Sequence, residues 1–527
     1  MAKAPVPQHL TPPTIVVKHK GLLTVALMLG TVMQVLDTTI ANVALPHMAA
    51  SLGAAQNEIV WVLTSYIVAA AIATPLTGWM SDRFGQKRLF LFSVIGFTVA
   101  SALCGIATSL PEMVLFRIIQ GLCGAFIAPL AQTVLLNINP KERIGQAMAI
   151  YGMGIMVAPI IGPTLGGYLT ESFDWRWVFL INLPVGILAV TMLLLYMPET
   201  DIKIRRFDFF GFGMLALGVG ALQLMLDRGA DNGWFESPET WIEFGLVISG
   251  LWVFVTHSLT AEKPFIDLRI FTDRNFTLGS VFMFIVGITL FSGLALLPPL
   301  LQNLMGYPVR FSSLIMAPRG LATFFSMMVV GRLTGKVDAR IMMLFGIGAM
   351  ALSLYMMTGF NLQMDYWPVL ITGVIQGFGM GFLFVPLSTM AFATIAPKFR
   401  ADGTAMFSLV RNMGQGVGIS IVTAVLSTML QVNHAEIGST ITATSQAVAQ
   451  VPSLLTGNPT ILSQINGLVS QQAAIVSYLD DFWLMMLLSL SAIPLILLLR
   501  GAKKAPASAP PKSQEELAKE RAHAMAE

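Results

Sequence analysis

Fourteen separate runs of about 20 mostly apolar residues dominate this chain, and each is long enough to cross a bilayer as a helix. Their approximate limits are 21–45, 58–79, 88–108, 111–136, 143–169, 174–196, 208–226, 240–260, 275–303, 311–333, 340–359, 366–392, 403–430 and 480–500. In hydrocarbon a backbone must satisfy its own polar groups, which leaves helices or a closed barrel, and runs of this length are helical. Only 11% of residues are charged and 55% are hydrophobic. A soluble domain carries about 25% charged residues, so a water-soluble enzyme is excluded. A disordered chain is excluded too, because it needs low hydrophobicity. Residues 1–20 are polar and Pro-rich, and the run that follows is too long for a signal-peptide core. It is expected to be the first spanning helix.

The basic residues orient the helices. With the N-terminus in the cytoplasm, 25 of the 31 Lys and Arg fall in inner segments, as the positive-inside rule requires. The stretch 431–476 holds no Lys or Arg and is rich in Ser, Thr, Gln and Asn. It is expected to be an extramembrane, periplasmic loop. The net charge of +3 is explained by this asymmetry, so no nucleic-acid partner is expected. Cys104 and Cys123 lie in apolar stretches, and the chain has no CxxC or metal-ligand spacing. They read as small buried hydrophobes, and no metal or cofactor is expected. HExxH and GxSxG strings are also absent, so the chain does not read as an enzyme.

Few charges sit inside the runs. Asp37 is the single deep acid, and Arg117, Arg319 and Arg411 are the intramembrane arginines. A charge at helix centre costs about 2.5–3.5 kcal/mol on insertion scales, so each needs a reason. Counting 1.5 Å per residue from the outer ends of spans one and four puts Asp37 and Arg117 at matched depth, roughly 10–13 Å below the outer surface. They are candidates for a proton-coupling pair, with a purely structural pair as the competing reading. Gln34 and Thr38 share the Asp37 face at helical spacing. Together with Gln120, Gln376, Arg319 and Arg411 they are candidate substrate contacts. One deep acid against three arginines favours lipophilic weak acids, neutral compounds and at most monocations.

Two stretches 256 residues apart resemble each other. Ile119-Gln120-Gly121 leads to Pro129-Leu130 and a basic loop, and Ile375-Gln376-Gly377 leads to Pro386-Leu387 and another. Matching span four to span twelve implies two six-helix halves with spans seven and eight inserted. Duplicated halves are a common transporter plan, with substrate sites at their interface. The expected domains are a cytoplasmic tail 1–20, a bundle 21–200, inserted helices 201–270, a bundle 271–500 and a cytoplasmic tail 501–527.

The loop after span two reads Gly78-Trp79-Met80-Ser81-Asp82-Arg83-Phe84-Gly85-Gln86-Lys87-Arg88. Gly78 allows close helix approach, Gly85 permits a tight turn, and Asp82 suits the positive end of another helix. This string resembles the signature loop of the major facilitator superfamily. Leu36-Asp37-Thr38-Thr39 through Pro46 resembles the first-helix motif of drug:proton antiporters. Ala158-Pro159-Ile160-Ile161-Gly162-Pro163-Thr164-Leu165-Gly166-Gly167 resembles the antiporter signature, and its prolines and glycines predict a bent, closely packed helix. Trp175 to Gly186 resembles the opening of span six in fourteen-span exporters of the EmrB/QacA type, nearer the EmrB side. The resemblance implies an all-α major facilitator fold of fourteen helices arranged 6+2+6 with both termini cytoplasmic. It implies residence in the cell inner membrane and export of lipophilic drugs by proton antiport. In Gram-negative bacteria it also implies a periplasmic adaptor (EmrA-like) and an outer-membrane channel (TolC-like). Proton-coupled uptake of a small metabolite on the same fold is the alternative.

Overall fold

The computed structural model describes residues 15–203, 205–230, 232–441 and 459–499. Fourteen of its helices are long and apolar enough to span a membrane. We number them α1 (Lys20–Leu52), α2 (Trp61–Phe84), α3 (Gln86–Ile106), α4 (Leu110–Ile138), α5 (Ile144–Ser172), α6 (Trp177–Tyr196) and α7 (Phe209–Arg228). The rest are α8 (Pro238–Thr260), α9 (Arg274–Leu304), α10 (Arg310–Leu333), α11 (Ala339–Met357), α12 (Trp367–Ala393), α13 (Pro397–Thr440) and α14 (Leu462–Leu498). The count matches the expectation from apolar runs. The expected tails fall outside the described residues except for 15–20, where the Ile15 N–H donates to the Asn137 carbonyl.

The expected 431–476 loop needs correction. Regular α-helix in α13 continues from Arg400 to Thr440, and the last helix already begins at Pro459. Only 442–458 of the interval lies outside the described residues. The facing ends of these two helices are polar, so hydropathy alone ended both helices too early. The two arms are tied together by polar side chains. Asn433 donates to Ser477 at 3.1 Å and to Asp480 at 3.2 Å, and His434 meets Asn466 at 3.0 Å.

The same packing scheme occurs twice. In the first part α1 packs on α5, α2 and α3 pack on α4, and α3 packs on α6. In the last part α9 packs on α13, α10 and α11 pack on α12, and α11 packs on α14. Between them, α7 and α8 pair with each other, and α7 leans on α2 and α13. Small residues set these approaches: a Cβ on Gly250 of α8 would stand 2.8 Å from the backbone of Gly218 on α7. Such contacts replace the hydrophobic drive that lipid does not supply between helices.

The two parts meet most tightly at the end that carries the basic loops. Thr133 of α4 and Thr404 of α13 share a hydrogen bond of 2.6 Å. Nearby, Arg400 donates to the Leu136 carbonyl and the Asn137 side chain, both at 3.0 Å. On α5, Gly145, Ala149 and Gly152 press against Thr334, Gly331 and Met327 of α10. At the opposite end Arg310 pairs with Glu171.

Candidate functional site

Asp37 lies at the centre of α1 with a side chain 0% exposed. Two other helices supply its partners. Arg117 of α4 donates to Asp37 Oδ2 at 2.5 Å. The amide of Gln120, one turn further along α4, donates to Oδ1 at 2.9 Å and accepts from Arg117 at 2.8 Å. Asn182 of α6 also donates to Oδ1, at 2.8 Å, and to Ser101 of α3 at 2.9 Å. Spacing of three on α4 puts Arg117 and Gln120 on one face, so one helix supplies both groups. The carboxylate therefore accepts three side-chain hydrogen bonds in a buried site. Charge-assisted bonds of this kind are roughly twice as strong as neutral ones.

Arg117 is held on its other sides as well. Its Nε donates to the Val62 carbonyl of α2 at 2.9 Å, and its guanidinium lies 4.4 Å from the Tyr66 ring centroid. The face of an aromatic ring attracts a cation. One nitrogen, Nη2, has no protein partner. Matched depth thus becomes contact, and Gln120 belongs to the ion-pair network. Gln34 and Thr38 stay outside it: Thr38 turns its hydroxyl back to the Val35 carbonyl at 2.8 Å, and Gln34 is half-buried. Asn182, Ser101 and Tyr66 were not singled out from the sequence. Asn182 stood within the quoted span-six string, but an amide there carries no signal that separates a ligand from a packing residue.

The glycine-rich string of α5 backs this site. A Cβ on Gly162 would meet Thr39 Oγ1 at 2.2 Å, and one on Gly166 would stand 3.3 Å from the Ile40 backbone. Both neighbours follow Asp37 within one turn of α1. The helix runs unbroken through Pro159 and Pro163. Gly167 faces open space and takes no part in this packing.

The loop between α2 and α3 forms a second constellation. Gly78 touches Asp402 in the first turn of α13; a Cβ there would fall 1.6 Å from the Asp402 carboxylate. Arg205, just before α7, bridges Asp82 at 3.2 Å and Asp402 at 3.3 Å. Burial works against the Arg205 charge, yet the two carboxylates outweigh it and hold its pKa above the usual arginine value. The expected partner of Asp82 was a helix N-terminus. Its side chain instead takes this arginine, while the start of α13 does lie next to Gly78. Gly85 adopts a φ of +82°, open to glycine at no cost. Lys87 donates to the Leu194 carbonyl at 3.0 Å, closing α3 on α6. Arg83 and Arg88 are exposed.

Three remaining candidates lie in the second repeat. Arg319 and Gln376 are buried, and neither terminal nitrogen of Arg319 nor either polar atom of the Gln376 amide has a protein partner. Arg411 is half-buried on α13 and joins neither network. The single-acid expectation fails here. Asp481 of α14 is also fully buried, and both its oxygens lack a partner. The apolar run had seemed to start at 480, which placed Asp481 at a helix end. The helix starts at Pro459, 21 residues earlier, so Asp481 is internal. The charge argument against dications loses its premise. Among the described residues no His, Cys, Asp and Glu cluster could hold a metal.

The sequence profile of the Major Facilitator Superfamily matches residues 27–419. The chain belongs to the major facilitator superfamily. Among curated members, it is 36% identical over 470 residues to "Multidrug export protein EmrB" of Escherichia coli K12, covering 88% of this chain and 92% of that one. It is 34% identical to "Fatty acid resistance protein FarB" of Neisseria gonorrhoeae, covering 90% and 94%. A Mycobacterium tuberculosis "Multidrug resistance protein B homolog" is 32% identical over 80% of this chain and 78% of its own. The fold also matches the solved structure of the proton:xylose symporter XylE, with a TM-score of 0.59, 14% identity and coverage of 91% and 96%. At that identity the likeness concerns the superfamily fold alone.

Proposed function

We propose that this protein exports lipophilic compounds from the cell by exchanging them for protons, working in the inner membrane by alternating access. It is a transporter of the superfamily and not an enzyme. The observation that carries the reading is the buried Asp37 held by Arg117, Gln120 and Asn182. An acid so deep is costly, and transporters use such acids as proton relays. In the cycle Asp37 exchanges its Arg117 contact for a proton, and proton loss restores the network. The name of the EmrB relative supports export as the direction. One proton entering at 100 mV supplies about 2.3 kcal/mol, enough for roughly a fifty-fold gradient of a neutral compound.

In this reading the helices divide 6+2+6, and both termini face the cytoplasm. The Gly78–Asp82–Arg205–Asp402 contact is then a cytoplasmic gate. An EmrA-like adaptor and a TolC-like channel carry the product onward if the cell has an outer membrane. The test uses inverted membrane vesicles. A labelled lipophilic weak acid accumulates inside them when the interior is acidified. Depletion of the label, the result of proton-coupled uptake, overturns the direction. Accumulation unaffected by an uncoupler overturns the proton.

A further inference from the structure

The 256-residue offset between the repeats carries Asp37 onto Gly293 of α9, Arg117 onto Gly373 of α12 and Gln120 onto Gln376. Both charges of the first site are therefore glycine in the second, while the amide is kept. Arg319 of α10 fills the space so vacated. Its backbone presses on α12, where a Cβ on Gly377 would stand 2.0 Å from the Arg319 carbonyl oxygen. Its own Cβ is 3.5 Å from the position a Cβ on Gly373 would take. Its guanidinium reaches across to α9, with Nη1 and Nη2 both 3.7 Å from the Cβ position of Gly293.

The same point on Gly293 is 3.6 Å from Met485 Cε of α14. One turn away on that face of α14 is Asp481, flanked by the buried Tyr478 and Phe482. The contact at Gly293 thus puts the Arg319 side chain close to Met485, one helical turn along α14 from Asp481. The two charges do not pair in this state. Helix α14 occupies in the second repeat the place of α6, which lends Asn182 to Asp37. The second half holds an acid, an arginine and a glutamine like the first, with the two charges moved to different helices.

Other charges do not account for Asp481. On its own helix Asp480 is taken by Asn433 of α13 at 3.2 Å, and Tyr478 packs beside it. Helix α9 from Thr289 to Leu301 and α13 from Ile419 to Asn433 have no titratable side chain. Helix α11 carries Tyr355, which sits on Trp483 with ring centroids 6.4 Å apart, and Arg340, which donates to the Leu499 carbonyl at the far end of α14. Arg319 is the cation that faces this region. An ionised carboxylate without partners in such a place is expensive.

We propose that Asp481 is a second proton carrier, neutral in the described state and paired with Arg319 when its proton has left. The proposal rests on the reading of the protein as a proton-coupled exporter. The proton comes from water and returns to water on the other side, so nothing else is consumed. Two protons then move per cycle, one in each repeat.

The experiment measures protons released per substrate bound to purified protein in lightly buffered solution, with tetraphenylphosphonium as a monocationic and a lipophilic weak acid as an anionic probe. The expected ratio falls from two to one in Asp481→Asn and returns to two in Asp481→Glu. Asp37→Asn also gives one. An unchanged ratio in Asp481→Asn, with Asp37→Asn lowered, overturns the second carrier and leaves the export reading standing. No proton release from the wild-type protein overturns both. If Asp481→Asn fails to fold, infrared difference spectra of the wild type decide. Two protonated-carboxyl signals lost on substrate binding support the proposal, and one overturns it.

Discussion

At the scale of single residues, the Asp37 carboxylate sets the strongest expectations. Asp37→Asn keeps the size of the side chain and a hydrogen-bonding group for Arg117, so membrane insertion is expected to be normal. Proton-driven efflux is expected to vanish, which transport into inverted vesicles with and without a pH gradient checks. Asn182→Leu removes one donor from Oδ1 and leaves Ser101 short of a partner. An unmet buried group costs about 1–3 kcal/mol, so efflux is expected to drop roughly ten-fold or more while detergent-extracted protein stays monodisperse. The pair Asp37–Arg117 was legible in the sequence because intramembrane charges are few and costly. Asn182 was not, because an amide is cheap enough to occur for many reasons. Asp481 was hidden by a misplaced helix start.

At the scale of helices, glycine decides what moves against what. Gly162→Ala forces a methyl group into Thr39 on α1. Transport is expected to fall in Gly162→Ala and recover in part in Gly162→Ala/Thr39→Ala, since the second change removes the clashing hydroxyl. Equal defects in the single and double variants would show that the contact is not the cause. The proposed gate obeys the same logic with charges. Arg205→Gln removes the cation between two acids, and Asp82→Asn removes one of its anchors. Both are expected to lower turnover several-fold while substrate affinity, measured by equilibrium binding, changes little. The signature loop showed in the sequence that Asp82 needs a partner, but Arg205 lies 123 residues away. Only the folded chain brings it there. Hydropathy likewise located every spanning helix yet said nothing of the polar arms of α13 and α14, whose hydrogen bonds join residues 32 to 47 positions apart.

At the scale of the molecule, the two repeats are joined at one end and must part there for access to alternate. The Thr133–Thr404 contact of 2.6 Å offers a direct test. Thr133→Cys/Thr404→Cys is expected to form a disulfide under mild oxidation. That bond is expected to stop transport, and a reducing agent is expected to restore it. Full transport by the oxidised, fully cross-linked protein would show that this end does not open. Cys104 and Cys123 are both buried, so they do not interfere. The repeat was visible in the sequence through its shared Gln-Gly and Pro-Leu strings. Its exchanged charges were not, since glycine at 293 and 373 reads as packing until Arg319 is seen lying across both. The hairpin of α13 and α14 adds a mechanical consequence. Helix α13 runs 41 residues from Arg400 to Thr440, about 60 Å, against hydrocarbon of about 30 Å. Rocking of the second repeat by about 15° about the middle of the membrane, about 45 Å from the tip of that rod, would sweep the tip through about 12 Å. The paired arms of α13 and α14 would then work as a lever, turning a small opening at the basic-loop end into a longer stroke at the far end of the rod.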